Sequence, residues 1–290
     1  MLSTTTSQNA GQGVREITLG QAIREALAEE MRRDPRVFMM GEDIAEAGTP
    51  FKVLSGLVEE FGTSRVIDTP ISEAGITGMG VGVAMTGMRP IVDIMFGDFI
   101  GLAMDQIVNQ AAKVHYMSGG KLKVPLVVRT TLGATRRTAA QHSQSLHAWV
   151  SHIPGLIVVL PSTPYDAKGL LATSSMVQIA LAAADGLEKL DISAEVIDPR
   201  TMYPLDRDTL IESAKKTSRV IVVDEGYERY GVTAEIAAVV ADGAFYFLDA
   251  PVKRMGAMNV PVPFSPALED LTVPTADSVM EVSKTLCGRV

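Results

Sequence analysis

Arg65-Val-Ile67, Asp68-Thr-Pro70 and Ile71-Ser-Glu-Ala-Gly-Ile-Thr-Gly-Met-Gly-Val-Gly82 follow one another without a break: a short apolar run, a proline turn, then a glycine-rich helical stretch. Apolar runs of the same kind recur at Val37–Met40 (closed by Gly41), Ile91–Met95, Pro125–Val128 and Leu156–Leu160. Helix-like stretches lie between them, notably Ala74–Met85 and Leu102–Tyr116. The series is entered through Thr18-Leu-Gly-Gln21, which has the form of a capping box. Leu19, Ile23, Ala26, Leu27 and Met31 then recur at helical spacing until Asp34-Pro35 closes the segment. Buried strands alternating with helices predict an α/β fold in which helices cover both faces of a mainly parallel sheet.

The second half repeats this grammar. Helices are expected at Met176–Leu190, Asp206–Lys216, Thr233–Ala241 and Thr275–Leu286, with strands at Ala194–Ile197, Arg219–Val223 and Pro251–Met255. A proline-rich loop, Val260–Pro266, precedes the last helix. At 290 residues the chain is long enough for two domains of ~100–200 residues each. The boundary falls near Leu171–Ser175, and Met1–Gly13, polar and without a charged side chain, reads as a loose arm.

Composition narrows the function. A 47% hydrophobic and 21% charged chain is no disordered segment. A net charge of −8 argues against nucleic acid and anionic membrane surfaces as partners. Two uncharged stretches, between Glu73 and Arg89 and from Thr138 to Tyr165, are interrupted by glycines or by prolines and histidines, so neither reads as a membrane span. A single cysteine, Cys287, excludes an internal disulfide and suits a reducing compartment, so a soluble cytoplasmic protein is expected.

Gly78, Gly80 and Gly82 fail the spacing of a dinucleotide fingerprint. Gly75, Gly78 and Gly82 instead share one helix face, a bare surface that lets another element come close. Glu73 stands where that helix begins. It is read either as a first-turn carboxylate favoured by the helix dipole or as a desolvated group able to hold a proton. Three of the four histidines, His142, His147 and His152, are spaced by five, which turns successive side chains by ~140° on a helix and denies them a common metal face. His142 lies in the polar island Ala140-Gln-His-Ser-Gln144, a satisfied histidine or a functional one. No Gly-x-Ser-x-Gly elbow surrounds Ser143.

A set of ordered motifs adds a resemblance. Val37-Phe-Met-Met-Gly-Glu-Asp43, Asp68-Thr-Pro-Ile-Ser-Glu-Ala-Gly75, Phe96-Gly-Asp-Phe99, Asp105-Gln-Ile-Val-Asn-Gln-Ala-Ala-Lys113, Ala140-Gln-His-Ser-Gln144, Val196-Ile-Asp-Pro-Arg-Thr201 and Pro251-Val-Lys-Arg254 occur in that order. The chain resembles the beta subunit of the thiamine-diphosphate-dependent E1 component of 2-oxo acid dehydrogenase complexes, a family that includes pyruvate, branched-chain and acetoin enzymes. The resemblance implies two three-layer α/β/α domains with mainly parallel sheets. A transketolase-like pyrimidine-binding domain (15–171) would be followed by a transketolase C-terminal-like domain (172–290), behind an arm of residues 1–14. It implies Glu73 as the catalytic acid that engages the cofactor's aminopyrimidine, Phe99 as the aromatic packed on that ring, and His142 as a catalytic group near substrate and lipoyl arm.

The resemblance also implies what this chain lacks. The family's diphosphate is held through Mg2+ by a Gly-Asp-Gly segment and a later asparagine. Here the nearest imitation is Ala184-Asp-Gly186, and Asn9, Asn109 and Asn259 are not suitably placed. That motif belongs to the alpha subunit, so no metal ligand is assigned to this chain and an alpha2-beta2 assembly is expected, serving an E2 acyltransferase with its lipoyl domain. Pyruvate is the first-choice substrate. The alternatives are acetoin cleavage or a non-catalytic assembly subunit. After Leu171 the family pattern jumps: a last strand, a linker and the first strand of the next domain, roughly fifty residues of an ordinary domain's length, are missing.

Overall fold

The computed structural model describes residues 15–134, 136–165 and 175–288. The arm of residues 1–14 and the expected boundary at 171/172 lie outside the described residues.

The first helix, α1 (Leu19–Arg33), opens on the capping box: Thr18 accepts from the backbone of Gln21 at 3.2 Å while Gln21 accepts from the backbone of Thr18 at 2.8 Å. Four parallel strands follow, β1 (Val37–Gly41), β2 (Val66–Asp68), β3 (Arg89–Ile94) and β4 (Val127–Thr130), in the order β2-β1-β3-β4. β1 is buried along its whole length, as the continuous apolar run requires of a central strand. Alternation then divides the core. Val37 and Met39 join Ile23, Leu27 and Met31 of α1 on one face. Phe38 and Met40 join Ile76, Ile100 and Ile107 on the other. That second layer is built by α3 (Glu73–Met85) and α4 (Ile100–Asp105), with a short α2 (Leu57–Phe61) on the first. The helix predicted over Leu102–Tyr116 is broken: α4 passes into a π-helical turn at Gln106–Ala111 and then α5 (Val114–Met117).

β3 and β4 bring Asp93 opposite Arg129, both buried, and the two form an ion pair within the sheet layer. An unpaired charge in that place would be costly.

The second half contains α7 (Met176–Glu188), α8 (Arg207–Thr217), β7 (Ile221–Tyr227), α9 (Val232–Ala244), β8 (Lys253–Ala257), α10 (Pro266–Glu269) and α11 (Ala276–Leu286). β7 and β8 pair in parallel; α8 packs on α9 around Ala214, Val240 and Ala244, and α7 packs on α11. Between the halves lie α6 (His147–Ser151) and a two-residue β5 (Val158–Val159), which pairs antiparallel with β6 (Thr201–Tyr203). The chain is thus α/β with mainly parallel sheets, and β5–β6 is the antiparallel exception.

One expected strand does not form. Ala194–Ile197 joins no sheet, because no described strand lies beside it to supply the ladder that defines a strand. Among the described residues no helix is long and apolar enough to cross a membrane.

Asp93→Ala should lower the free energy of urea unfolding by about 3–5 kcal/mol, since Arg129 is left buried and unpaired. Asp93→Leu with Arg129→Met should recover most of that loss; equal losses in the single and double variants would contradict an ion-pair origin.

Candidate functional site

Each candidate residue follows the carboxyl end of a strand of the same sheet. Glu42 follows β1, Glu73 follows β2, Phe96 and Phe99 follow β3, and the loop carrying His142 follows β4. The carboxyl edge of a parallel sheet is where α/β proteins assemble sites, because every loop that leaves a strand there converges.

Glu73 is the first residue of α3. Ser72 caps the helix, its hydroxyl accepting from the Gly75 amide at 3.3 Å. The Glu73 side chain is only 9% exposed, and among the described residues no side chain donates to it. Glu42, which the motif reading quoted but gave no role, senses Glu73: burial first, then the charges of Asp43 and Glu73, raise its carboxyl above the ordinary range. Partial burial and neighbouring negative charge therefore favour the protonated form of Glu42.

Phe99 and His142 do meet. Their rings stand edge to face with centroids 5.4 Å apart, and Phe96 completes the cluster at 5.7 Å from Phe99 and 4.6 Å from His142. Phe51 extends the stack at 5.8 Å from Phe96. The loop is pinned locally: Thr138 Oγ1 donates to the His142 carbonyl at 2.9 Å, and Gln144 Nε2 donates to Asp98 at 2.8 Å. Phe96, Thr138 and His142, with Phe264 from the second half, line an open cavity of about 700 Å³. Glu73 is not part of this ring cluster; its recorded neighbour is Glu42. The structure therefore joins two of the three sequence candidates and sets the third after β2, with β1 between it and β3.

The histidines separate as their spacing demanded. His142 joins the rings, whereas His147 is buried in α6 and its Nε2 lies 3.0 Å from Asp224 Oδ2. Ala184–Gly186 lies inside α7, so it is a helix and not a loop able to wrap a diphosphate. On the glycine-rich helix, Gly80 is the position that packs inward. A Cβ there would come within 2.7 Å of Val92, whereas at Gly82 it would meet nothing within 4 Å. Gly78 faces Gln106 at 3.4 Å. The bare face is thus partly used inside the chain, and its Gly82 end stays open.

Sequence reasoning missed a second buried polar cluster. Asp224 and Glu225, in the middle of β7, face His147 and Ser175; Ser175 Oγ donates to Glu225 at 2.9 Å. The signal was present in Val222-Val-Asp-Glu-Gly226, where two carboxylates interrupt an apolar strand. Burial alone would push the His147 ring down; the hydrogen bond and charge of Asp224, helped by Glu225, outweigh it and hold the ring above its ordinary value. Burial raises the Glu225 carboxyl, against the opposing hydrogen bond of Ser175. Both folded-state shifts are upward, so their stabilisation is complete below the unfolded values and is lost as pH climbs through the folded ones. The thermal midpoint should therefore fall from pH 6 to pH 8.5, and His147→Gln should flatten that slope in differential scanning calorimetry. An unchanged slope in the variant would remove His147 as its source.

Comparison with known proteins agrees with this geometry. The transketolase pyrimidine-binding domain profile matches residues 15–178 and the transketolase C-terminal domain profile matches residues 168–279. The acetoin:2,6-dichlorophenolindophenol oxidoreductase subunit beta of Bacillus subtilis is 43% identical over 335 aligned positions, covering 94% of this chain and 98% of that protein. The pyruvate dehydrogenase E1 component subunit beta of Rickettsia felis is 43% identical over 321 positions, covering 94% and 98%. Both alignments are longer than the 290 residues of this chain, so both relatives carry residues with no counterpart here. A solved split-gene transketolase, an inactive beta4 tetramer, superposes with a TM-score of 0.73 at 20% identity over 94% of this chain and 99% of that one, which shows the fold. Two transketolase-type domains in tandem, with relatives of this similarity aligned almost end to end, place the chain in the family of E1 beta subunits of the thiamine-diphosphate-dependent 2-oxo acid dehydrogenases.

Proposed function

We propose that this chain is the beta subunit of an E1 enzyme that decarboxylates a 2-oxo acid, pyruvate first, and passes the acyl group to the lipoyl domain of an E2 acyltransferase. The observation that carries the reading is Glu73: a buried carboxyl just after a strand end, without a side-chain donor among the described residues, beside a second carboxyl. Such a group fits a ligand that brings its own ring nitrogen to share a proton.

Thiamine diphosphate, when bound, supplies the nucleophilic carbon and the electron sink for loss of carbon dioxide. The chain contributes position and protons. Glu73 offers its carboxyl to the cofactor's aminopyrimidine nitrogen, with which it would share a proton. Phe99 offers an apolar ring face at no polar desolvation cost. His142 stands at the open cavity, where an imidazole can give or accept a proton from the substrate side. The diphosphate and its Mg2+ fall to an alpha subunit, in an alpha2-beta2 assembly in the cytoplasm. The open Gly82 end of α3, flanked by exposed Met79 and Met85, is surface suited to that contact.

The acetoin-cleaving reaction is the second reading, favoured by the likeness to the Bacillus subtilis subunit. Both reactions use the same acid.

In the complex with its alpha partner, Glu73→Gln should cut 2-oxo acid decarboxylation by at least about 100-fold while the two subunits still co-elute; full activity in that variant would sink the proposal. Supplying acetoin and pyruvate side by side, with turnover read for each, separates the two substrates. Gly82→Trp should leave the melting temperature of the isolated chain unchanged and abolish co-purification with the alpha subunit; unimpaired assembly would remove this face from the interface.

A further inference from the structure

The chain that follows β4 leaves and regains the same short turn, residues 95–98. At the start, Thr131 Oγ1 donates to the Met95 carbonyl at 2.7 Å, and the Thr131 carbonyl accepts from the Gly97 amide at 2.7 Å. The two segments lie so close there that a Cβ at Gly97 would collide with Leu132. At the return, Gln144 donates its side-chain amide to Asp98 Oδ1 at 2.8 Å. Its backbone amide faces the two Asp98 oxygens at 3.3 and 3.4 Å. Asp98 therefore makes the closing contact of the loop that carries His142.

That contact sits between two groups the catalytic reading uses. Phe99 is the next residue in the turn Gly97–Phe99, and His142 precedes Gln144 by two. Among the described residues no hydrogen bond reaches the His142 imidazole. Its ring is placed by Phe96 and Phe99 and by where the backbone carries it. The same backbone holds Arg137 and Ala139 at φ +61° and +63°, left-handed values that non-glycine residues keep only while their surroundings impose them. Such a loop needs its ends fastened. A carboxylate suits the task, because its two oxygens accept from two donors at once and its charge shortens both bonds.

We propose that Asp98 is a positioning residue for the reaction: by accepting both amides of Gln144, it closes the His142 loop onto the turn that bears Phe99 and sets the imidazole at the cavity. The inference rests on the roles proposed for His142 and Phe99. Asp98 itself touches neither substrate nor cofactor in this account; it acts through the loop.

The test uses the complex with the alpha subunit, at a temperature where circular dichroism shows every variant folded. Asp98→Ala should lower kcat for 2-oxo acid decarboxylation by about 10-fold or more, the scale of loss that a displaced catalytic group brings. Before cofactor is added, diethyl pyrocarbonate should modify His142 about 5-fold or more faster in that variant, with buried His147 unaffected, as mass spectrometry reads for each histidine. Gln144→Glu sets carboxylate against carboxylate and should reproduce both changes. Adding Asp98→Asn to it restores a donor–acceptor pair, and should return kcat and labelling to within about 3-fold of the parent chain. Should Asp98→Ala not fold, the exchanged pair decides alone. Unchanged labelling, unchanged kcat, or an exchanged pair no better than Gln144→Glu would each overturn the proposal. The labelling needs no turnover, so a failure of the catalytic reading and a failure of this one are read apart.

Discussion

Gly41 is paired with Asp68 on one side and with Asp93 on the other, and a Cβ at that position would press within 2.7 Å of the Asp93 carbonyl. This close approach at the end of β1 expresses the constraint on which the site depends: four strands running in one direction, in fixed register, ending on one edge. Parallel pairing forces each return connection over a face of the sheet, so the outgoing loops gather at the carboxyl end. Glu42 and Glu73, and separately Phe99 and His142, are distant in sequence and meet only because their strands finish on one edge.

That edge is held from both halves of the molecule. Arg137, in the loop between β4 and His142, pairs with Glu269 at 2.6 Å and with Asp270 at 2.8 Å in and beside α10. Its backbone φ of +61° is a left-handed value that a non-glycine residue adopts only where its contacts hold it. His147, five residues beyond His142, pairs with Asp224 of β7. The loop that carries His142 is therefore bracketed by two pairs, Arg137 with Glu269 and Asp270, and His147 with Asp224, whose partners lie in the second half. Glu269 is fully buried, so the Arg137 contact acts in a region of low dielectric where charge pairing is strong and its loss is costly.

The second half carries a different stress. Its β7–β8 pair is covered by α8 and α9 on one side and approached by α7 and α11 on the other, yet the segment Ala194–Ile197 stays outside any sheet. The two halves thus differ in kind. The first forms a four-stranded sheet between two apolar cores, whereas the second, among the described residues, pairs only β7 with β8. Glu73, Phe99 and His142 all follow strands of the four-stranded sheet.

Much of this was legible in the chain. Apolar runs at Val37 and Ile91 specify buried strands, Thr18 and Gln21 specify where α1 begins, and histidines spaced by five cannot share a metal, because these properties follow from local geometry and periodicity. The motif around Glu73 singled out a carboxyl that the structure buries at the end of β2, and Phe99 and His142 prove to be ring partners. Glu42 gave no signal, and Val222-Val-Asp-Glu-Gly226 showed two carboxylates in an apolar strand but not their partners His147 and Ser175, since burial and field depend on residues more than thirty positions away. Ala194–Ile197 was misread for a related reason: β propensity describes a residue's fit to a sheet, but a strand exists only when a neighbour supplies hydrogen bonds. The order of residues by itself determined which segments would be apolar, where helices start and which carboxyl could serve the cofactor. Only the tertiary structure decided which strands find partners, which charges lose their water and which loops meet, because pairing and desolvation are properties of contacts between distant parts of the chain.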